Sequence, residues 1–386
     1  MKIAHVIPAL TKGGAERMVV DLANAAAETG DEVFVIAAVA APPDLIADRL
    51  SPNVDLVFVG GRSLRHSYLR LPYWLYRNRS WLFELDVVHC HLTFGSLFAR
   101  ALQQMRSLFG RRRPAIVETY HAVGMAIPAR ARAAHALLLS GRDAVAFMAE
   151  DPYWIGYAKR HSNMIFRTIP NGIAPPEPAP ASASEAYRKN VARIPPNARA
   201  VIGTVSRLVP ARRPDLLLES FAHVAHAMGP DVHMLIAGEG PESFMLNRMA
   251  QQRRIQAQVH MPGLVLRPAE AMGCMDLFVT VNVGSITGIA ALEAANLGVP
   301  IIALQLQQDY RSAADDWIWS SAKPDEVARK AVELLNDSAA LGALATTQHT
   351  IARDRFSVDA MKREYNEFYG ATLDRRDRRE GDVPCR

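Results

Sequence analysis

The chain has 386 residues, 49% of them hydrophobic and 22% charged, with 44 Lys and Arg against 39 Asp and Glu. This balance excludes a disordered chain, and no apolar run reaches the ~18 residues that a membrane-spanning helix needs. The net charge of +5 suits an anionic ligand or an anionic membrane surface and does not require nucleic acid.

Taken in chain order, residues 3–8 read as a short buried strand. Gly13-Gly14 follows, then a helix over about 15–28 with Met18, Leu22 and Ala25 on one stripe and Gly30 as its closing residue. Further strands are expected at 33–39, 86–91, 115–121, 144–149 and 165–169, separated by helices. That alternation predicts βαβ units and a parallel sheet. Residues 174–198 are rich in Pro, Ala and Ser and read as a linker. The alternation then restarts, with strands at 201–205, 232–237, 259–261, 277–281 and 299–304. Helices are expected at 214–228, 287–297, 324–335 and 358–369. The chain is thus expected to hold two doubly wound α/β domains, residues 1–173 and 199–355, facing across a cleft. A charged tail over 373–386 is expected to be disordered. Cys90, Cys274 and Cys385 form neither a disulfide framework nor a paired metal motif, which points to a reducing compartment, the cytoplasm.

In an open α/β sheet, ligands bind beyond the carboxyl ends of the strands. Gly13-Gly14 lies in such a loop and offers close backbone approach at a helix N-terminus, though a plain tight turn reads as well. Arg207 and Arg212 follow the strand at 201–205, where guanidinium forks are well placed to grip a diphosphate; a solvated charge cluster is the alternative. Ser285, Thr287 and Gly288 form a small-residue loop before a helix that carries Glu293, a carboxylate able to accept from ribose hydroxyls or to be paired structurally. His89 and His91 share one face of a strand, but with no further ligand in metal spacing they read as strand-end histidines, and no metal is expected. His121 ends the next strand, placed to hydrogen-bond a polar ligand. Residues 62–83 interleave five arginines, Arg65, Arg70 and Arg77 among them, with aromatics such as Trp74, and contain no acid. That pattern fits an anionic membrane interface, stacking on nucleic acid, or a helix packed on its own domain.

Six short motifs occur in order: Gly13-Gly14-Ala15-Glu16-Arg17, Asp86 to His91, Ile169 to Ile173, Ser206 to Pro210, Leu235 to Pro241, and Ala291 to Ala294. Together they resemble the group-1 glycosyltransferases, a retaining family (family four) with the GT-B fold, over about residues 1–370. The resemblance implies an N-terminal acceptor domain, a C-terminal nucleotide-sugar domain, and a final helix (356–372) crossing back to the first. It implies transfer of a sugar with retention from a UDP- or GDP-linked donor, without metal or other cofactor. The acceptor is expected to be a glycan or a lipid-linked molecule, met in the cytoplasm or at the inner membrane surface. Gly13, Gly14 and Gly238 map to the donor loops, and Arg207 with Arg212 to the family's Arg–Lys pair on the leaving diphosphate. His121 maps to the histidine on the donor sugar, Leu264 and Val265 to the base, and Glu293 to the ribose. The family's first Glu of its Glu–seven residues–Glu motif falls at Ser285, a departure that bears on the identity of the sugar. A non-catalytic nucleotide-binding partner in a polysaccharide pathway, and a nucleotide-sugar epimerase on the same fold, are the competing readings.

Overall fold

The computed structural model describes residues 1–11, 13–40, 49–61, 63–121, 141–149, 156, 160, 164–282, 287–306 and 317–381. Two compact units result, one made of Met1–Gly172 with Val358–Arg386, the other of Ile173–Ser357.

The first unit is built on a seven-stranded parallel sheet. Its strands are β1 (Lys2–Ile7), β2 (Glu32–Ala37), β3 (Val54–Phe58), β4 (Val87–His91), β5 (Ala115–Tyr120), β6 (Ala144–Phe147) and β7 (Ile165–Thr168), in the order β3-β2-β1-β4-β5-β6-β7. Ile3 is paired with Val33 on one side and Val87 on the other, so β1 is central. Both faces of β1 are covered, which explains why Ile3–Ile7 are all buried and, His5 apart, apolar, with no alternation. Helix α1 (Gly14–Glu28) buries Met18, Val19 and Leu22 against the sheet and ends at Gly30, whose φ of +91° suits glycine. Two helices, α2 (Leu64–Arg77) and α3 (Arg79–Glu84), then bring the chain to β4. Helix α4 (Leu92–Leu108) connects β4 to β5.

The second unit holds β8 (Ala200–Val205), β9 (Val232–Ala237), β10 (Val259–Gly263), β11 (Leu277–Asn282), β12 (Ile301–Gln305) and β13 (Trp319–Ser321) in the order β10-β9-β8-β11-β12-β13, all parallel. Each sheet therefore begins at an interior strand, the third in its order, winds one way to the near edge and then the other way for the rest. That is the doubly wound arrangement expected, with its switch points at β1/β4 and β8/β11.

Residues 174–198 are not a free linker. They form a helix, α5 (Ala181–Ala186), that passes into one π turn over Tyr187–Val191. Tyr187, Ala192 and Ile194 are buried in the second unit's core, and the Cys274 thiol donates to the Ser184 carbonyl at 3.0 Å. The prolines stand before and after this helix, and apolar anchors between them supply the packing.

The second unit continues through α6 (Pro214–Met228), α7 (Ser243–Gln252), α8 (Pro268–Met272), α9 (Ile289–Asn296), α10 (Pro324–Asn336) and α11 (Ser338–Arg355). The last helix, α12 (Val358–Gly381), returns to the first unit. Met361, Tyr365, Phe368 and Tyr369 enter the first unit's core, one stripe at helical spacing. The tail expected to be disordered from 373 is helical as far as Gly381. Thr372 is buried, Leu373 packs on the core, and Arg376 reaches Asp143 at 3.5 Å, so the contacts that hold the helix continue beyond its expected end.

A polar network runs through the first unit's core. His5 lies in register with His89 on the neighbouring strand. The His89 ring contacts the Tyr369 hydroxyl through Nδ1 and the Thr119 hydroxyl through Nε2, both at 2.7 Å, and Thr119 meets the Tyr365 hydroxyl at 2.8 Å. Nδ1 of His5 lies 3.3 Å from Nε2 of His91. Burial pushes the His5 imidazole down to about 4, and His89 and His91 well below the usual range, so all three are neutral at pH 7. An unfolded chain binds these protons near pH 6.5, whereas the folded chain refuses the His5 proton until about pH 4 and holds His89 and His91 neutral well below their usual range. The stabilisation is therefore complete above pH 6.5 and is lost as pH falls from there toward 4, by roughly 3 kcal/mol for His5 alone. Melting temperature measured from pH 7.5 to 4 is expected to fall mainly in that window, with a shallower fall for His5→Gln. Equal slopes in the two proteins would remove His5 from this role.

Candidate active site

The second unit's carboxyl edge gathers most of the residues singled out from the sequence. After β8 the chain runs Ser206-Arg207-Leu208, makes a 3-10 turn over Pro210–Arg212, and enters α6 through Arg213. The Arg213 guanidinium donates twice to Asp215 in the first turn, at 2.7 and 2.9 Å, which satisfies Arg213 locally. Arg207 and Arg212 are placed otherwise. Among the described residues neither forms an ion pair. Burial, and then the charge of Arg207, lower the Arg212 pKa, so two guanidiniums lie close together on one loop and both remain cationic at neutral pH. Such a pair attracts an anion of high charge.

Glycines set this loop. The amide of Ser206 donates to the Ala237 carbonyl at 3.0 Å and that of Leu208 to the Glu239 carbonyl at 2.9 Å. Gly238 has φ +146°, and a Cβ there would overlap the Ser206 carbonyl oxygen. A Cβ on Gly240 would overlap the Leu208 carbonyl oxygen. The Gly238 amide donates to Gly263 at 2.8 Å, tying the end of β9 to the end of β10. Gly238 thus shapes the arginine loop by close backbone contact. Leu264 is exposed and Val265 half-buried just beyond β10, on the same edge. Gly240 belongs to this clamp although the sequence reading singled out only Gly238; its signal is the Gly-x-Gly directly after a strand.

On the other side of the switch point, Gly288 is the N-cap of α9, Thr287 is buried before it, and Glu293 is half-buried in the helix's second turn. The first turn of α9 presents backbone N–H groups at a positive helix end. Ser285 lies outside the described residues.

In the first unit, Gly13 is the N-cap of α1 with extended backbone, and Gly14 is the helix's first residue. The Glu16 carboxylate folds back beside Gly13 and accepts from the Thr11 hydroxyl at 2.8 Å. The chain's own carboxylate thereby meets the positive end of α1. His121 follows β5 directly, with Nε2 3.2 Å from Nδ1 of His91. Burial pushes its imidazole down to about 4, so at neutral pH it is a neutral hydrogen-bonding group. His5 supplies the third imidazole that the sequence reading lacked. Nitrogens of His5, His89 and His91 lie within 4.8 Å of one another, though His89 has both of its ring nitrogens engaged by hydroxyls. The juxtaposition arises from the pairing of β1 with β4, 84 residues apart for His5 and His89, which no local motif records.

On α2, Arg65, Arg70 and Arg77 are exposed. Trp74 is half-buried, with its ring 6.4 Å from Trp81 and 6.0 Å from Phe98. The segment is therefore a packed helix on one side and a basic surface on the other.

The clamp leads to a direct test. Gly238→Ala is expected to cost about 2 kcal/mol of stability in denaturant unfolding, because backbone carbonyl and positive φ both oppose it. Gly342→Ala, on the open side of α11, is expected to be neutral or to stabilise by about 0.5 kcal/mol. Equal effects at the two positions would contradict the clamp.

Comparison with known proteins adds the family. Residues 12–177 match the model described as Glycosyltransferase Family 4, and residues 188–349 match that described as Glycosyl transferases group 1. The crystal structure of HepE from Anabaena in complex with UDP and glucose superposes with a TM-score of 0.75 at 16% identity, covering 96% of this chain and 100% of that one. A phosphatidylinositol N-acetylglucosaminyltransferase component of Arabidopsis thaliana is 28% identical over 140 residues, 35% of this chain and 31% of that protein. The poly(ribitol-phosphate) alpha-N-acetylglucosaminyltransferase of Staphylococcus aureus is 19% identical over 175 residues, 44% of this chain and 35% of that protein. The chain spans about a third of the length of the curated relatives it matches. With both halves matched by glycosyltransferase models and the doubly wound sheets in place, the chain belongs to the group-1 glycosyltransferases of the GT-B fold.

Proposed function

We propose that this protein transfers a hexose from a UDP- or GDP-linked sugar, with retention at the anomeric carbon, to a glycan or lipid-linked acceptor in the synthesis of a cell-surface polysaccharide or glycolipid. The observation that carries the reading is the pair Arg207 and Arg212, two adjacent cations with no ion pair among the described residues, on a loop held by the glycine clamp. Breaking a glycosyl–phosphate bond builds negative charge on the departing diphosphate. Fixed guanidiniums meet that charge without rearranging as it forms, which is the most effective form of transition-state stabilisation. In this scheme they do the work that a metal ion does elsewhere. The Anabaena structure, which holds UDP and glucose, supports a donor of this chemical class.

The remaining roles are those that the family resemblance implies, and the positions of these residues are compatible with them. Glu293 accepts from the ribose hydroxyls, and Leu264 and Val265 flank the base. The backbone amides of Thr287 and Gly288, at the start of α9, hold donor oxygens. His121, neutral at pH 7, exchanges hydrogen bonds with a sugar hydroxyl. The acceptor oxygen attacks on the face from which the diphosphate leaves, and its proton passes to a phosphate oxygen. Ser285 replaces the carboxylate that the family directs at the transferred sugar, so a neutral hydroxyl contributes to the choice of donor.

Thermal shift against UDP, GDP, ADP and their sugar conjugates identifies the nucleotide, since a ligand bound only by the folded state raises the melting temperature. With that donor, Arg207→Ala is expected to lower nucleotide release by about 100-fold with little change in melting temperature. Arg212→Lys, which keeps the charge, is expected to stay within about tenfold of the natural protein. Parallel losses of activity and stability in Arg207→Ala would remove the residue from the leaving-group role. Ser285→Glu is expected to shift turnover toward common hexose donors. If no nucleotide raises the melting temperature and no donor turns over, the non-catalytic reading replaces this one.

A further inference from the structure

The outward face of α2 presents chemistry that glycosyl transfer does not use. Leu69, Tyr73 and Tyr76 stand on it at spacings of four and three residues, with 82%, 63% and 54% of their surfaces exposed. Large apolar side chains in a continuous exposed stripe mark a binding surface rather than incidental exposure. Arg65, Arg70 and Arg77 flank the stripe, and among the described residues none of the three forms an ion pair. Arg70 and Arg77 also line a groove of about 330 Å3 together with Val59, Tyr73, Trp74 and Asn78. Two guanidiniums, an amide and two aromatic walls in one groove suit a phosphate attached to an apolar body.

The fold extends this surface beyond anything local in the sequence. The Arg79 guanidinium lies 4.3 Å from the Tyr76 ring centroid and 5.9 Å from that of Phe109. It bridges α2 to the carboxyl end of α4 and the turn that follows it, where Leu108 is 81% exposed and Arg111 is exposed. Basic and apolar groups from two sequence regions thus form one face. The charge is distributed to match, because the whole positive excess of the chain falls on the first unit, while the second holds slightly more acidic than basic residues. No helix among the described residues is long and apolar enough to cross a membrane. A face of Arg, Tyr and Leu on a folded unit is suited to lie on a bilayer.

We infer that the outward face of α2 and the adjoining turn at Leu108 dock on an anionic phospholipid bilayer, with a lipid phosphate seated between Arg70 and Arg77. Tyr73, Tyr76 and Leu69 enter the headgroup region, and the arginines meet the surface charge. The amino end of α2 lies by the carboxyl edge of the sheet, since the Ser67 hydroxyl donates to the Ala38 carbonyl just beyond β2. Docking by this face holds that edge, with its glycine loop, near the bilayer.

The full chain is sedimented with vesicles of phosphatidylcholine and with vesicles that also contain phosphatidylglycerol. Binding is expected to be at least about tenfold tighter to the anionic vesicles and to weaken with salt. The double variant Arg70→Glu/Arg77→Glu is expected to lose most of that difference. Arg329→Glu/Arg353→Glu, the same charge change on exposed positions of the second unit, is expected to keep it. Leu69→Ser/Tyr73→Ser/Tyr76→Ser is expected to weaken binding at every salt concentration. Melting temperatures confirm that each variant is folded. Equal binding to the two vesicle types, an unaffected Arg70/Arg77 variant, equal losses in the two charge-reversal variants, or binding to single-stranded DNA in place of vesicles would each overturn the inference. Donor turnover in solution is a separate readout, so failure of the docking face leaves the transfer reading standing, and the reverse.

Discussion

Two parallel strands cannot be joined by a tight hairpin. Every link in these sheets is a crossover that carries the chain over a face and back to the starting end. All carboxyl ends therefore point to one edge of each sheet, and all loops that leave them gather there. In both units the chain begins in the middle and winds first one way and then the other. The loops after the first and fourth strands consequently depart in opposite directions, and a gap opens between them. The arginine loop after β8 and the start of α9 after β11 flank one such gap. The glycine loop after β1 and the histidines of β4 occupy the equivalent place in the first unit. Placement of the site is thus a product of topology before it is a product of any side chain.

Topology alone would leave those loops mobile, and local contacts hold them. Gly238 and Gly240 do so by lacking side chains, which lets two backbones touch. The first unit relies on buried polar groups instead. Glu118 on β5 is held by the Arg142 guanidinium at 2.8 Å and by the Ser96 hydroxyl, and Arg142 also donates to the Ser96 carbonyl at 2.6 Å. An ion pair so far from water is stable only because its hydrogen bonds are largely made within the protein. Its reach fixes α4 against the sheet, directly behind the strand that His121 follows.

Legibility followed burial. Central elements such as β1, β9 and α6 were readable because their apolar runs or stripes are long and their neighbours are Gly or Pro. The strands β3 and β13 were not expected: β3 mixes Asp55 into a partly exposed run and β13 is three half-buried residues, so neither leaves an apolar run, whereas the edge strands β7 and β10 were expected. Helix α11 escaped for a related reason. Its inward anchor is an amide: the Gln348 side chain pairs with both the N–H and the carbonyl of Ile301, at 2.7 and 2.9 Å. A polar residue that imitates a neighbouring strand leaves no hydrophobic period. The residues of the second unit's edge were legible through their order along the chain, whereas His5 and the Arg79–Phe109 bridge depend on distant pairing and were not.

The return of α12 bears on how the polypeptide matures. The second unit is one uninterrupted stretch, but the first closes only when residues from 358 onward arrive. During synthesis the slot for Met361, Tyr365 and Tyr369 stands open until those residues have been made, after the whole of the second unit, with His89 and Thr119 deprived of their tyrosine hydroxyls. The later-made unit is therefore free to finish first, and the earlier-made one waits for its final segment. A ribosome that stops early, or a protease that trims the last helix, leaves the first unit with an open apolar trough. Quality-control machinery that recognises exposed apolar surface has in that trough a marker of unfinished chains.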